Sequence, residues 1–255
     1  MNSSLWTALF VSLSLTGIAS ATDSISLPQD PAVPVVELWY IDHGQVRSPE
    51  IAIFASGRVQ VRLGEGMLWG EMKRDQVTAL VGALLTSDHL ASITTSQIDQ
   101  AIATESIRTG LSAEIHGAAD TIIRIRTSAG MYRVDGHAVG VLSNRFPAVE
   151  CLQSLYSAQC RLENVRAVVM VGGVPLAERL ARLAQAQLQA EMGEQVTVGL
   201  ENLSCVHSLT DGTRCCQFLV PAPPGSDAAP RIISLFESPG EAPRVSVLPE
   251  GPSLR

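Results

Sequence analysis

Apolar and polar residues alternate along 58–63. Val59, Val61 and Leu63 fall on one face of an extended strand, and Arg58, Gln60 and Arg62 fall on the other. The apolar run 51–54 precedes it across Ala55-Ser56-Gly57, so the two read as a hairpin. Residues 35–40 form a further β-rich run. A second hairpin follows the same rule: Ile123 and Ile125 alternate with Arg124 and Arg126, Ser128-Ala129-Gly130 turns, and 131–134 returns. Strands with one apolar and one polar face predict an antiparallel sheet covered on one side and wet on the other.

The period then changes. Val77, Leu80, Val81, Leu84 and Leu85 make the stripe of an amphipathic helix after Asp75. A short helix is expected near 96–106, and Pro147 is placed to open another reaching about Asn164. Gly172-Gly173 marks a boundary. Beyond it, a helix puts Leu176, Leu180, Leu183, Leu188 and Met192 inward and Glu178, Arg182, Gln185 and Gln189 outward, with Gly193 as its stop. A short extended piece near Val196, strands at 204–209 and 213–220 about an Asp211-Gly212 turn, a Pro/Gly/Ala loop at 221–230 and a last hairpin of 231–236 with 244–248 complete the chain. Strands, helix, strands and helix predict an α+β fold of two modules, each an antiparallel sheet packed by one or two amphipathic helices. The expected modules are 35–166 and 167–249, with an extended lead-in at 22–34 and a tail at 250–255.

The first 21 residues change the picture from fold to location. An apolar run from Leu5 to Ile18 ends in Ala19-Ser20-Ala21, with polar Thr22-Asp23-Ser24 behind it. This is the pattern of a secretory signal, although no Lys or Arg precedes the run. The run is shorter than the ~20 residues that a spanning helix needs, so cleavage and no stable membrane insertion are expected. The protein is therefore expected in the periplasm or outside the cell. Of the 255 residues 46% are hydrophobic and 17% charged, ordinary for a globular protein. A net charge of -7 argues against nucleic acid as a partner, since phosphate binding needs a basic surface.

Five cysteines meet an oxidising compartment: Cys151, Cys160, Cys205, Cys215 and Cys216. On one helix, Cys151 and Cys160 would stand about 13 Å apart, beyond the roughly 7 Å between Cα atoms that a disulfide tolerates. A two-residue Asp211-Gly212 loop sets His207 opposite Cys216 and Cys205 opposite Phe218. A bulged three-residue loop shifts this register, and neither arrangement opposes two cysteines. His207 beside Cys216 is the one pairing with a chemical reading, since an adjacent imidazole lowers a thiol's pKa. The competing reading is a buried, inert thiol on an apolar face. Asp42-His43-Gly44 and Asp135-Gly136-His137 read as turns. No CxxC, HExxH, GxSxG, Walker A or GxGxxG spacing occurs, so neither a metal nor a cofactor is expected.

Val171-Gly172-Gly173, the helix from Leu176 and Gln195-Val196-Thr197-Val198-Gly199 resemble the cystatins, inhibitors of cysteine proteases, over roughly the last third of the chain. The resemblance implies a long helix on an antiparallel sheet and an inhibitory loop. The chain departs from the pattern in three ways: Thr197 replaces a Val, no strand separates helix from loop, and no Trp follows Trp69. The leading functional expectation is an exported, soluble, non-catalytic protein that binds a protein or other ligand. An envelope enzyme with a dispersed site, using His207 and Cys216, is the alternative. A cystatin-like inhibitor is the third.

Overall fold

The computed structural model describes residues 25–42, 48–192, 197–208, 212–221 and 231–249. The expected signal, His43, Gly193, the extended piece at Val196 and the tail at 250–255 lie outside them. Six strands form the first sheet: β1 (Pro34–Ile41), β2 (Ile51–Phe54), β3 (Arg58–Leu63), β4 (Gly66–Glu71), β5 (Asp120–Arg126) and β6 (Met131–His137). Their order is β4-β3-β2-β1-β5-β6, antiparallel throughout. The two hairpins stand where the alternation places them. β4 was not anticipated: Gly66-Met67-Leu68-Trp69-Gly70 shows no polar alternation, and β3 recruits it across the Gly64-Glu65 turn.

The aliphatic face of this sheet, with Val36, Leu38, Ile51, Ile53, Val59, Val61, Ile123, Ile125 and Val134, builds the larger core. It is covered by helices α1 (Arg74–Gly82), α2 (Thr95–Thr109), α3 (Val139–Arg145) and α4 (Glu150–Val171). α1 continues as a π turn, Ala83–Ser87, and delivers Leu84 and Leu85 to the same core. At the start of α2, Thr94 Oγ1 accepts from the Gln97 N–H while Gln97 Oε1 accepts from the Thr94 N–H, a reciprocal cap. The lead-in also takes part: Leu27 is buried there, and the Ser26 carbonyl accepts from Ser128.

α4 departs from expectation at both ends. Pro147 lies in the turn before it, Val149 is its N-cap, and it runs past Asn164 to Val171. The reason is that its two halves serve different cores. Leu152, Leu155, Ala158 and Leu162 belong to the first core, whereas Ala167 and Val171 belong to the second. No single apolar stripe therefore marks its length.

Gly172 and Gly173, at φ +103° and +98°, reverse the chain between α4 and α5 (Val174–Met192). Only glycine adopts two successive left-handed residues at low cost. α5 buries Ala177, Leu180, Ala181, Ala184 and Leu188, while Leu176 and Leu183 are half-buried, so its inward stripe is centred on Leu180 and Leu188. The second sheet is a meander, β10-β9-β8-β7, of β7 (Leu203–Ser208), β8 (Arg214–Val220), β9 (Arg231–Glu237) and β10 (Arg244–Pro249). Leu203, Val206, Cys216, Phe218, Val220, Ile233 and Leu235 meet α4 and α5 on one face. The protein is thus α+β, two antiparallel sheets each packed by helices. No helix among the described residues is long and apolar enough to cross a membrane.

Candidate functional site

The structure separates the two residues that the two-residue loop would pair. β7 and β8 take the shifted register, with Val206 opposite Cys216 and His207 opposite Cys215. Adjacent strand residues point to opposite faces, so Cys216 enters the second core and His207 points to the other side. Cys216 is fully buried, and burial, the largest influence, pushes its thiol up to about 12. A thiol so held stays protonated and is a poor nucleophile. The exposed His207 meets Cys205 instead, Nε2 lying 3.0 Å from Sγ. Burial also raises the Cys205 thiol, and the Glu163 carboxylate reinforces it against the Arg166 guanidinium. Spacing alone could have found this contact, since residues two apart on a strand share a face. All five cysteines are free thiols. Among the described residues no group of three or more His, Cys, Asp or Glu is arranged to hold a metal ion.

A polar network ties α4 to its surroundings. Tyr40 donates to Glu163 Oε1 at 2.7 Å and accepts from Gln159 at 2.9 Å. Arg166 donates to Glu163 at 3.0 Å and stands 3.7 Å from Glu50, which also pairs with Arg62. Burial drives the Tyr40 hydroxyl well above its usual range, and the Glu163 charge adds to this. The buried Asp88 accepts from Ser157 at 2.8 Å and from Arg161 at 2.9 and 3.2 Å. Asn164 reaches the Leu200 and Leu203 carbonyls at 2.6 and 2.9 Å and so fixes α4 along β7. These contacts tie α4 to the elements packed on it, while Gln159 Oε1, Arg166 Nε and Arg62 Nε stay buried with no hydrogen-bond partner.

The face of the six-stranded sheet opposite the helices has a different character. Ladder register lays Trp69, Gln60, Ala52, Glu37, Arg124 and Arg133 in one row across all six strands. The neighbouring row carries Met67, Arg62, Trp39, Ile122 and Asp135, with Glu50 between Arg62 and Trp39. The Arg124 guanidinium lies over the Trp39 ring at 5.1 Å, and Arg58 over Trp69 at 4.3 Å. Phe54 packs beside Trp69 with ring centroids 6.2 Å apart. Trp69 and Met67 are 52% and 41% exposed. Glu37 sits between Arg124 and Arg126; burial raises its carboxyl pKa and outweighs both guanidiniums. Helices meet the sheet through the aliphatic face. On this face Arg166 of α4 reaches Glu50, and Glu50, Ala52 and Ile122 are buried, whereas the end that carries Trp69, Met67 and Arg58 is exposed.

Alternation in the sequence marked one face of these strands as polar. It did not show that β1 and β5 are neighbours, the pairing that brings Arg124 to Trp39. Trp and Arg are enriched at protein–protein hot spots, and Phe and Met at interface cores, whereas none of the described residues on this face joins a nucleophile to a base. The cystatin-like stretch is only partly described, as Gln195 and Val196 lie outside the described residues. Compared with protein-family models, curated proteins and solved structures, the chain matches none.

Proposed function

We propose that this protein is exported, soluble and non-catalytic, and that it binds another protein through the open face of its six-stranded sheet. The observation that carries the reading is the aromatic group on this face, half-exposed Trp69 beside Phe54 and partly buried Trp39, with Arg58 and Arg124 stacked on the two indoles. Aromatic rings supply large contact area at low cost in rotamer entropy. Guanidiniums already held on those rings are pre-organised to meet carboxylates or carbonyls of a partner. Export is supported by the apolar run to Ile18 and the small residues Ala19, Ser20 and Ala21. The raised thiols of Cys205 and Cys216 weigh against a cysteine-based enzyme.

The test is cross-linked capture with residues 22–255 as bait in the protein's own cell envelope and medium. One protein should be enriched over a control bait. Its capture should be lost with Arg124→Ala/Arg126→Ala and kept with Ile107→Glu, which alters a residue 85% exposed on α2. Equal capture by both variants, or no enriched protein, would contradict the reading.

A further inference from the structure

Strand edges are where sheets pair with other chains, and natural sheets usually blunt them with lysine, proline, a bulge or a covering element. Three of the four outer strands here show such devices. α4 lies along β7 through Asn164, Thr95 Oγ1 accepts the Asp135 N–H on β6, and β10 opens on Arg244 and closes on Pro249. β4 has only a terminal charge, Glu71. Its core, Gly66 to Gly70, carries no charge, proline or bulge, and Met67 and Trp69 stand out from it.

The turn before β4 also fixes which main-chain groups are free. A two-residue loop makes Leu63 and Gly66 a hydrogen-bonded pair, and alternation then assigns Leu68 and Gly70 to β3 as well. The N–H and C=O groups of Met67, Trp69 and Glu71 therefore point away from the sheet. The strand reads nearly the same in both directions about Leu68, with Gly66 answering Gly70 and Met67 answering Trp69.

We infer that β4 pairs antiparallel with β4 of a second copy of this chain, about a two-fold axis at Leu68. Met67 then faces Trp69 of the second copy and Trp69 faces its Met67, each pair exchanging two main-chain hydrogen bonds. Gly66 lies opposite Gly70 of the second copy, so no side chain obstructs the approach. A two-fold axis normal to the sheet keeps both open faces on one side. The Trp and Arg rows become continuous across the dimer, and a partner would meet two copies of the face at once. Glu65 comes opposite Glu71 of the second copy, a like-charge pair that holds the dimer weak and strengthens it with salt.

The pairing does not depend on whether the open face binds a partner, and its test needs only the purified protein. Sedimentation equilibrium on residues 22–255, up to a few hundred micromolar, should show a reversible monomer–dimer equilibrium. Met67→Lys should weaken it by about tenfold or more, with near-ultraviolet circular dichroism and Tm showing that the variant is folded. Met131→Lys, at the 61% exposed methionine of β6, should leave it unchanged. Glu65→Lys should tighten it several-fold by placing a lysine opposite Glu71. A monomer at every concentration, a dimer lost with Met131→Lys, or a dimer weakened by Glu65→Lys would overturn the inference.

Discussion

The two faces of the six-stranded sheet are built by neighbouring residues of the same strands, yet they differ in the side chains they expose. Leu38 is fully buried under the helices, while Glu37 and Trp39 on either side of it belong to the open row. Gly70 lies against Val169 of α4, and Trp69 beside it is more than half exposed. The covered face uses Val, Ile and Leu, which pack without direction. The other face sets Trp, Phe, Met and Arg beside buried Ala52 and Ile122, with its rings and guanidiniums stacked on one another. A sheet needs only one covered face to fold. Exposed positions of the second face, such as Trp69, then carry little of the packing, and their substitution should cost little stability.

The largest expected effect is on the covered face. Leu38→Ala should lower stability by about 2–5 kcal/mol in chemical denaturation, and a loss within error would mean that helices do not seal that side. Gly70→Ala comes next. A Cβ there would stand 2.6 Å from Val169 Cγ2, so the Val169 side chain or α4 itself must shift, at about 1–3 kcal/mol. Trp69→Ala, one residue away, should change stability by about 1 kcal/mol or less. A larger cost would place Trp69 in the core and erase the contrast. Arg124→Ala/Arg126→Ala should leave Tm nearly unchanged while removing partner capture; loss of Tm and capture together would make those arginines structural.

The smallest effect is one of pH, also on the open face. The Ile115 carbonyl, at 2.8 Å from His137 Nε2, and the Asp120 carboxylate, at 2.7 Å from Nδ1, hold the imidazole above its ordinary value. A group with a raised folded pKa stabilises most below its unfolded value, here about 6.5, and that contribution is lost as pH rises through the folded value. The pair is half exposed, so solvent screening keeps the contribution below about 1 kcal/mol. Wild-type Tm should fall slightly across that window relative to its value at pH 5.5, with His137→Gln removing the slope. Parallel profiles would show that the pair contributes nothing.

Local periodicity made much of the fold legible. Both hairpins of the first sheet, the α5 stripe and the four-stranded meander follow from alternation, turn residues and helical spacing. What escaped did so for physical reasons. β4 owes its pairing to β3 rather than to its own pattern, and α3 is too short to show a period. α4 is packed from two sides, so its apolar residues wind around the helix instead of forming one stripe. β7 and β8 pair one residue out of the register expected from a two-residue loop, so Val206 rather than His207 stands opposite Cys216. The open face was half legible, as the polar side of alternating strands. The stacking of Arg124 on Trp39 depends on a pairing between strands distant in sequence, which no local pattern encodes.

If a partner sits on the open face, a photo-crosslinking residue at Gln60, in the row between Trp69 and Ala52, should reach it, and the same residue at Ile107 on α2 should not. Illumination in the native envelope should give one discrete crosslinked protein from position 60 and none from position 107. The same adduct from both positions, or from 107 alone, would contradict a partner on that face.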